Sequence, residues 1–227
     1  MGKNRNPMWY KEPPVSTRTI LLLCALAVLG LVAVQPARAT LIYTYPFEVF
    51  TANGAYGDEP GVSLYVEVSN GAGTAEFTFY NVGAVDCSIA RIYFDDGSLL
   101  GVDEIVNGPG TEFSKAYLGP GNLPGGSELV PPFVADREFT IGAESPPPEN
   151  GVNNLPPGEW VSINFELTNG ASLEDVIGEL GSGILRVGLH VMAFPDGSSE
   201  SAIMVPEPAT LSLLALGGLA LIRRRRK

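Results

Sequence analysis

The stretch Val62–Tyr80, VSLYVEVSNGAGTAEFTFY, decides the fold class of this 227-residue chain. Apolar and polar residues alternate on both sides of an Asn-Gly turn, and a period of two with one apolar face is typical of half-buried antiparallel strands. An Asn-Gly pair between two such runs is a turn signal of β-hairpins. We therefore expect two strands here, with Leu64, Val66, Phe77 and Phe79 facing a core.

The same alternation recurs along the rest of the chain, between turns rich in glycine and asparagine. Eight or nine short strands predict an all-β protein, an antiparallel β-sandwich with jelly-roll-like connections. Further strands are predicted over Leu41–Thr51, Ala90–Phe94, Leu99–Val106, Glu138–Ala143, Val161–Thr168 and Leu185–Met192.

One short helix is predicted between two of these strands. Ser172 followed by Asp175 resembles a capping box, and Gly181 is a natural stop. The apolar residues between them recur at the spacing of one helix face, which indicates a packing element. These residues are Leu173, Val176, Ile177 and Leu180.

Two segments rich in proline and glycine, Gly108–Pro132 and Ser145–Gly158, interrupt the strand pattern. Both are long for connections within a compact domain, which makes them candidate binding loops. Rigid, protease-resistant decoration of the surface is an equal alternative.

Charge is distributed unevenly along the chain. The formal net charge is −11, but residues 40–205 carry 23 Asp and Glu against four Lys and Arg, a formal charge of −19. A surface this acidic repels nucleic acid and anionic lipid, so no nucleic-acid partner is expected.

The N-terminus has the three parts of a secretory signal. A basic segment is followed by the apolar run Thr19–Val34, and Ala37 and Ala39 form an A-x-A site with cleavage expected before Thr40. Residues 1–39 are therefore predicted to be a cleaved signal peptide, with the secretion machinery and signal peptidase as partners. An uncleaved anchor helix is the alternative.

Cysteine use is sparse for an exported protein. Cys24 would leave with the signal peptide, so Cys87 would remain alone and no intrachain disulfide is expected. We expect Cys87 to be a buried small hydrophobe, with a free reactive thiol as the alternative.

The C-terminal segment, residues 205–227, combines a proline pair, an apolar run and a basic end. The run Ala209–Ile222 would span about 21 Å as a helix, less than the roughly 30 Å of a hydrocarbon core. It is predicted to be a short transmembrane segment that contacts the inner membrane transiently, with its basic end inside. The basic end is Arg223, Arg224, Arg225, Arg226 and Lys227.

The motif Val205-Pro206-Glu207-Pro208, followed by the apolar run and the arginine cluster, resembles the PEP-CTERM sorting signal of Gram-negative-type bacteria. The resemblance is confined to residues 205–227. It implies processing near Pro206–Pro208 by an exosortase-type protease and an association with exopolysaccharide and biofilm. It implies nothing about residues 40–204, the predicted extracellular β-sandwich domain. An ordinary tail anchor is the alternative.

Catalytic and metal-binding patterns are sparse. The chain has one histidine, His190, which excludes H-E-x-x-H and leaves zinc without its usual ligands. We expect His190 to be a surface or rim residue, and the protein to be no enzyme and to need no cofactor. A carboxylate-pair glycoside hydrolase stays open as an alternative.

Two surface features could bind ligands. Asp95 and Asp96 are weak calcium candidates, since carboxylates in a turn can supply hard oxygen ligands. Four aromatic residues fall on the polar-side phase of their strands, where they could stack on sugar rings or be ordinary sheet surface. They are Tyr65, Tyr80, Tyr93 and Trp160.

These observations predict an exported protein sorted to the cell envelope, the cell surface or the extracellular matrix, with a structural or adhesive role. The alternatives are a carbohydrate-binding module and, less favoured, a small secreted glycoside hydrolase.

Overall fold

A computed structural model describes residues 41–57, 59–71, 74–95, 100–115, 122–167 and 170–206. The predictions for the signal peptide, its cleavage site, the basic tail, the segment 209–222, Glu207, Pro208 and Asp96 lie outside these residues. The division of the chain at residues 39 and 204 therefore stays a prediction.

The described residues form eleven strands, and every predicted strand is among them. The strands are β1 Ile42–Val49, β2 Leu64–Asn70, β3 Thr74–Asn81, β4 Ser88–Asp95, β5 Leu100–Asn107, β6 Phe113–Lys115, β7 Ala135–Ala143, β8 Val152–Asn153, β9 Trp160–Leu167, β10 Arg186–Met192 and β11 Glu200–Met204. The helices are α1 Pro147–Asn150 and α2 Leu173–Ser182, with a 3₁₀ turn at Gly126–Glu128.

The strands make one antiparallel sheet in the order β5-β9-β3-β2-β1-β11-β10-β4-β7-β6, with β8 paired to β4. Strand β1 joins two halves of the sheet: Ile42–Pro46 pairs with β2, and Phe47–Val49 pairs with β11. We call β5, β9, β3, β2 and the start of β1 the first half, and the remaining strands the second half.

Side chains connect the two free edges, β5 and β6. The amide of Phe113 donates to Asn107 Oδ1 at 2.7 Å, and Asn107 Nδ2 donates to the Phe113 carbonyl at 3.2 Å. Lys115 Nζ donates to the Val102 carbonyl at 3.1 Å. These bonds nearly close the sheet and occupy edge groups that would otherwise be open to pairing.

The main core lies between the two halves. Phe94 of the second half contacts Phe77 and Phe165 of the first half, edge to face, with ring centroids 5.4 Å and 4.8 Å apart. All three rings are fully buried, and rings at such angles add attraction beyond the area they bury. The predicted alternation therefore identified the inward face correctly.

A smaller core lies on the outer side of the second half. Tyr93 packs there with Leu123 and Phe133 from the segment 122–134, and all three are at most 2% exposed. Opposite Tyr93, Gly188 makes room, because a Cβ at this position would lie 2.6 Å from Leu123 Cδ2. This part of the first proline-rich loop is therefore a cover for the sheet.

Arg186 holds the end of this cover. Its guanidinium forms an ion pair with Asp95 and donates to the carbonyls of Pro131 and Pro132 at 2.7 Å and 2.6 Å. The same group lies 5.3 Å from the centroid of the Phe133 ring, a cation–π distance. The Arg186 side chain, on β10, therefore connects the cover to β4 and β10.

Helix α2 follows its predicted start closely. Ser172 Oγ accepts from the Asp175 amide at 3.3 Å, and Asp175 Oδ2 accepts from the Ser172 amide at 2.8 Å, which completes the capping box. The predicted stop at Gly181 was wrong by two residues, since the helix continues to Ser182 and ends at Gly183, whose φ of 73° suits glycine.

The second proline-rich segment is ordered within the fold. It contains α1 and β8, and β8 pairs with Ser88 and Ile89 of β4. Behind it, the buried Glu159 accepts from the amide of Asn153 at 2.7 Å. This segment therefore extends the second half of the sheet.

The all-β class is confirmed, and the sheet, continuous through β1, is nearly closed by the hydrogen bonds between β5 and β6. The more detailed prediction, a β-sandwich with jelly-roll-like connections, stays a prediction. Among the helices that the structure describes, none combines the length and the apolar character needed to cross a membrane.

Candidate functional site

Three of the four predicted aromatic residues lie side by side on the outer face of the first half. Tyr65 of β2 is directly opposite Tyr80 of β3, and Tyr80 is directly opposite Trp160 of β9. Directly opposite residues of an antiparallel pair project from the same face of the sheet. Tyr65, Tyr80 and Trp160 are therefore one row, which we call the aromatic row, and all three are partly exposed.

The rings of the aromatic row are held in defined positions. Tyr65 and Tyr80 stack with centroids 4.8 Å apart and planes 19° apart. A Cβ on Gly108 would lie 2.7 Å and 2.8 Å from the two atoms shared by the indole rings of Trp160, so the Gly108 backbone covers one face of that indole. Rings positioned in advance lose little entropy when a ligand stacks on them.

Polar side chains form the neighbouring rows of the same face. Ser162 Oγ donates to Glu76 Oε1 at 2.8 Å, and Thr78 Oγ1 donates to Ser162 Oγ at 3.1 Å. Glu67 is directly opposite Thr78. Glu67, Glu76 and Thr78 are partly exposed, so their oxygens can exchange hydrogen bonds with a hydroxylated ligand. Ser162 is only 1% exposed and instead holds Glu76 in position.

The pKa values of the two tyrosines reflect this surrounding. Burial raises the pKa of Tyr65, and the carboxylate of Glu67 raises it further. The pKa of Tyr80 is raised by burial and then by Glu67, which is also its hydrogen-bond partner. Both phenols therefore stay neutral and able to donate hydrogen bonds at ordinary pH.

The described positions of this outer face carry acidic charge and no lysine or arginine. The carboxylates belong to Glu67, Glu76, Glu104 and Glu166. A face of this sign repels anionic ligands and favours uncharged or cationic ones.

Tyr93 does not belong to the aromatic row. It is 1% exposed beneath the segment 122–134 on the second half of the sheet. Its predicted strand phase is correct, because its neighbours Ile92 and Phe94 face the main core, but the loop covers the outer side. Sugar stacking on Tyr93 is therefore excluded in this fold.

His190 lies partly buried between Arg91 of β4 and Ser201 of β11. Burial lowers its pKa most, and Arg91 lowers it further against the opposing effect of Glu200. Within the described residues, His190 Nδ1 and Ser201 Oγ have no hydrogen-bond partner, so the two are not joined as a catalytic pair through Nδ1. His190 is partly exposed, and its role as an ordinary surface or rim residue stays a prediction.

The weak calcium candidate Asp95 is already engaged by Arg186. Its partner in that prediction, Asp96, lies outside the described residues. Across the part of the chain that the structure describes, no group of three or more His, Cys, Asp or Glu side chains is placed to hold a metal ion.

Cys87 is a buried free cysteine, as expected. Asn81 Nδ2 lies 3.4 Å from its sulfur, and burial raises the pKa of the thiol to about 11. The thiol is therefore almost fully protonated, and unreactive, at neutral pH.

The fold reaches into the C-terminal motif. The amide of Val205 donates to the Pro46 carbonyl at 2.9 Å, which extends the pairing of β11 with β1 by one residue. Pro206 lines a cavity of about 320 Å³ together with residues of the cover, of α2 and of β11. The motif therefore begins on the surface of the domain, without a linker.

Residues 205–227 match the family model of the PEP-CTERM protein-sorting motif. The chain carries a PEP-CTERM sorting signal. This signal implies export, processing by an exosortase and the secretion machinery, and placement in the cell envelope or at the cell surface. No curated protein and no solved structure matches the chain.

Sequence reasoning missed several residues that shape these surfaces. Glu67 and Ser162 lie an even number of residues from Tyr65 and Trp160, so the sequence places them on the same face of the sheet as these rings. Which residues lie beside them depends on strand register, which the sequence does not reveal. The buried Glu200 accepts from Thr51 Oγ1 at 2.6 Å and from the amide of Gly54 at 2.7 Å, across about 150 residues of sequence. Nothing local in the sequence signals that contact.

Proposed function

We propose that this exported protein is a non-enzymatic β-sandwich with an adhesive role, and that it attaches to a glycan through the aromatic row. The observation that carries the proposal is the alignment of Tyr65, Tyr80 and Trp160 on one partly exposed face. Aromatic faces offer a large apolar contact to the C–H faces of sugar rings at low entropic cost.

The surroundings of the row support this proposal. Glu67, Glu76 and Thr78, all partly exposed, supply oxygens for hydrogen bonds to sugar hydroxyls within one or two rows of the rings. Neighbouring strands are about 4.8 Å apart, so three adjacent strands present the rings over roughly 10 Å. That length suits about two sugar units of an extended polymer.

The charge of the face narrows the class of glycan. Four carboxylates and no cation occupy its described positions. Uncharged glycans and glycans with free amino groups fit this face, whereas uronic-acid polymers meet repulsion.

The hydrolase alternative has less support. A glycoside hydrolase needs two carboxyl groups about 5–10 Å apart across a cleft. The cavity beside Pro206 is lined by no carboxylate, and the cavity beside Cys87 has Asp86 alone.

The test measures retention of the exported protein on an insoluble neutral glucan. Replacing one ring, in Tyr65→Ala, Tyr80→Ala or Trp160→Ala, should weaken binding by about 1 kcal/mol, or about fivefold in Kd. The triple variant should abolish retention.

Tyr56→Ala is the matched control. Tyr56 is also partly exposed and also stacks on a ring, that of Phe194 at 5.9 Å, but it lies outside the aromatic row. Retention of the control variant should equal that of the unmodified protein. If the triple variant is retained as strongly as the unmodified protein and has the same unfolding transition, glycan attachment through this face is refuted.

A further inference from the structure

We infer that the cavity beside Pro206 is a docking surface for the exosortase-type protease that processes the tail. The inference concerns a surface outside the sorting motif and does not depend on the glycan proposal. We call this surface the motif groove; residues of the cover, of the end of α2, of β10 and of β11 line it, among them Val130, Leu180, Gly183, Arg186, Ile203 and Pro206.

The motif groove is continuous with the motif itself. Pro206 is both a wall of the groove and the first proline of the sorting signal. Val205 is held to β1 by its bond to Pro46. Any enzyme that grips Pro206–Pro208 therefore touches the groove while it does so.

Chain length strengthens this point. Three residue steps separate Pro206 from Ala209, where the apolar run begins, and they span at most about 10 Å when fully extended. The surface of the protease that borders its substrate cleft must come within that distance of the domain. Since the motif has no linker, the domain cannot stay clear of the enzyme.

The chemistry of the groove suits an apolar partner surface. Val130 stands at the rim with 97% of its surface exposed, and Ile184, next to the groove-lining Gly183, is 53% exposed. The single cation of the lining, Arg186, is engaged by Asp95, Pro131 and Pro132. The groove therefore offers apolar side chains on a clamped, preorganised wall.

A protease fits this surface better than lipid does. The acidic body, with a formal charge of −19 over residues 40–205, is repelled by anionic headgroups. An enzyme surface can match both the apolar groove and the adjoining motif. Docking at a second surface would also let the enzyme distinguish folded substrates from other chains that end in a similar tail.

The test is the rate of tail processing in cells that carry the protease, followed by the intact mass of the exported chain. Val130→Asp and Ile184→Asp should each slow processing about tenfold, because docking would bury an unpaired charge. Removal of the signal peptide should be unchanged. Val82→Asp is the matched control, because Val82 is 57% exposed and lies outside the groove.

A second arm separates docking from an effect on the motif. A flexible insertion of eight Gly and Ser residues between Met204 and Val205 frees the motif from the groove. If the groove is the docking surface, the insertion slows processing and Val130→Asp adds no further effect in that background. Unchanged processing of both Asp variants overturns the inference.

The inference is also overturned if the motif groove binds lipid or the protein's own tail instead of the protease. If the form without its tail binds neutral phospholipid vesicles and Val130→Asp abolishes that binding, the groove is a lipid surface. If a chain truncated after Pro208 gains Val130-dependent dimerisation or dye binding at the groove, the tail itself is the occupant.

Discussion

The amide of Val205 donates a 2.9 Å hydrogen bond to the carbonyl oxygen of Pro46, the residue at which β1 passes from one half of the sheet to the other. The first residue of the sorting motif is thus held by the first strand of the domain. Pro206 then packs into the motif groove. The domain therefore includes at least the first two residues of the motif, Val205 and Pro206.

The contacts of Val205 and Pro206 with the domain predict where the tail is cut. Proteases act on extended segments that leave the fold, so the processed chain should keep Val205 and Pro206 and end at or beyond Pro206. Intact mass of the protein from cells and medium measures both ends, with Thr40 expected at the start. A product that ends before Val205 would show that β11 opens during processing.

The charge of the outer face predicts which glycans bind. Retention on an amine-bearing polysaccharide should fall with added salt, while retention on a neutral glucan should hardly change, because only the first depends on Coulomb attraction. Glu67→Gln and Glu76→Gln should weaken binding to the amine-bearing polymer alone. Stronger retention on a uronic-acid polymer than on either would contradict the proposed selectivity.

The buried carboxylate of Glu200 predicts a large stability effect. It is fully buried and accepts from Thr51 Oγ1, the Asn53 amide and the Gly54 amide at 2.6, 3.1 and 2.7 Å. Glu200→Ala leaves these donors without their partner and should lower the free energy of unfolding by about 3 kcal/mol.

Urea unfolding measures the free energy of unfolding of Glu200→Ala and of a control, Glu112→Ala. Glu112 is the control because its side chain is exposed. The exposed substitution should stay within about 0.5 kcal/mol of the unmodified protein. Glu200→Gln should fall between the two, because it keeps one oxygen acceptor. Equal stability of all three variants would mean that the segment 51–54 is held by other contacts.

The capping box predicts a local pH dependence. Hydrogen bonds from the amide and hydroxyl of Ser172 lower the pKa of Asp175 below its ordinary value of 3.8. Because the pKa is lowered in the folded state, the stabilisation of the helix start is present above the unfolded pKa and is lost as pH falls through the folded pKa. The window therefore lies below about pH 4.

NMR titration of the Asp175 carboxyl carbon measures this pKa directly. In Ser172→Ala the hydroxyl bond is lost, and the pKa should move up towards 3.8. The pKa of Asp196, which is lowered by hydrogen bonds from Ser198 and Ala55, is the internal reference and should be the same in both proteins. An unchanged Asp175 value in the variant would mean that the backbone bond alone sets it.

The strand positions and the inward face could be predicted from alternation, because each needs only neighbours in sequence. The pairing of Tyr65 with Tyr80 was also within reach, since Tyr65 lies five residues before Asn70 and Tyr80 lies five residues after Ala75, the pair that flanks the turn. The pairing of Tyr80 with Trp160 was not, because it joins strands 80 residues apart. Only the fold shows that these rings share a row.

The burial of Tyr93 also could not be predicted from the sequence of its strand. Its position among Ile92 and Phe94 predicts an outward side chain, and it does point outward. The loop that contributes Leu123 and Phe133 then buries it, helped by the missing side chain of Gly188. Loops rich in proline and glycine carry no periodic signal, so their packing against a sheet is decided by single contacts.

The pairing of β1 with β11 also sets an order of events during secretion. These two strands enclose almost all of the described sequence between them. In a chain that crosses the membrane from its N-terminus, Ile42–Pro46 can pair with β2 early, but Phe47–Val49 must wait for its partner until β11 has also crossed. Closure of the sheet and arrival of the sorting motif outside the membrane thus coincide, so a seated Val205 reports that translocation of the domain is complete.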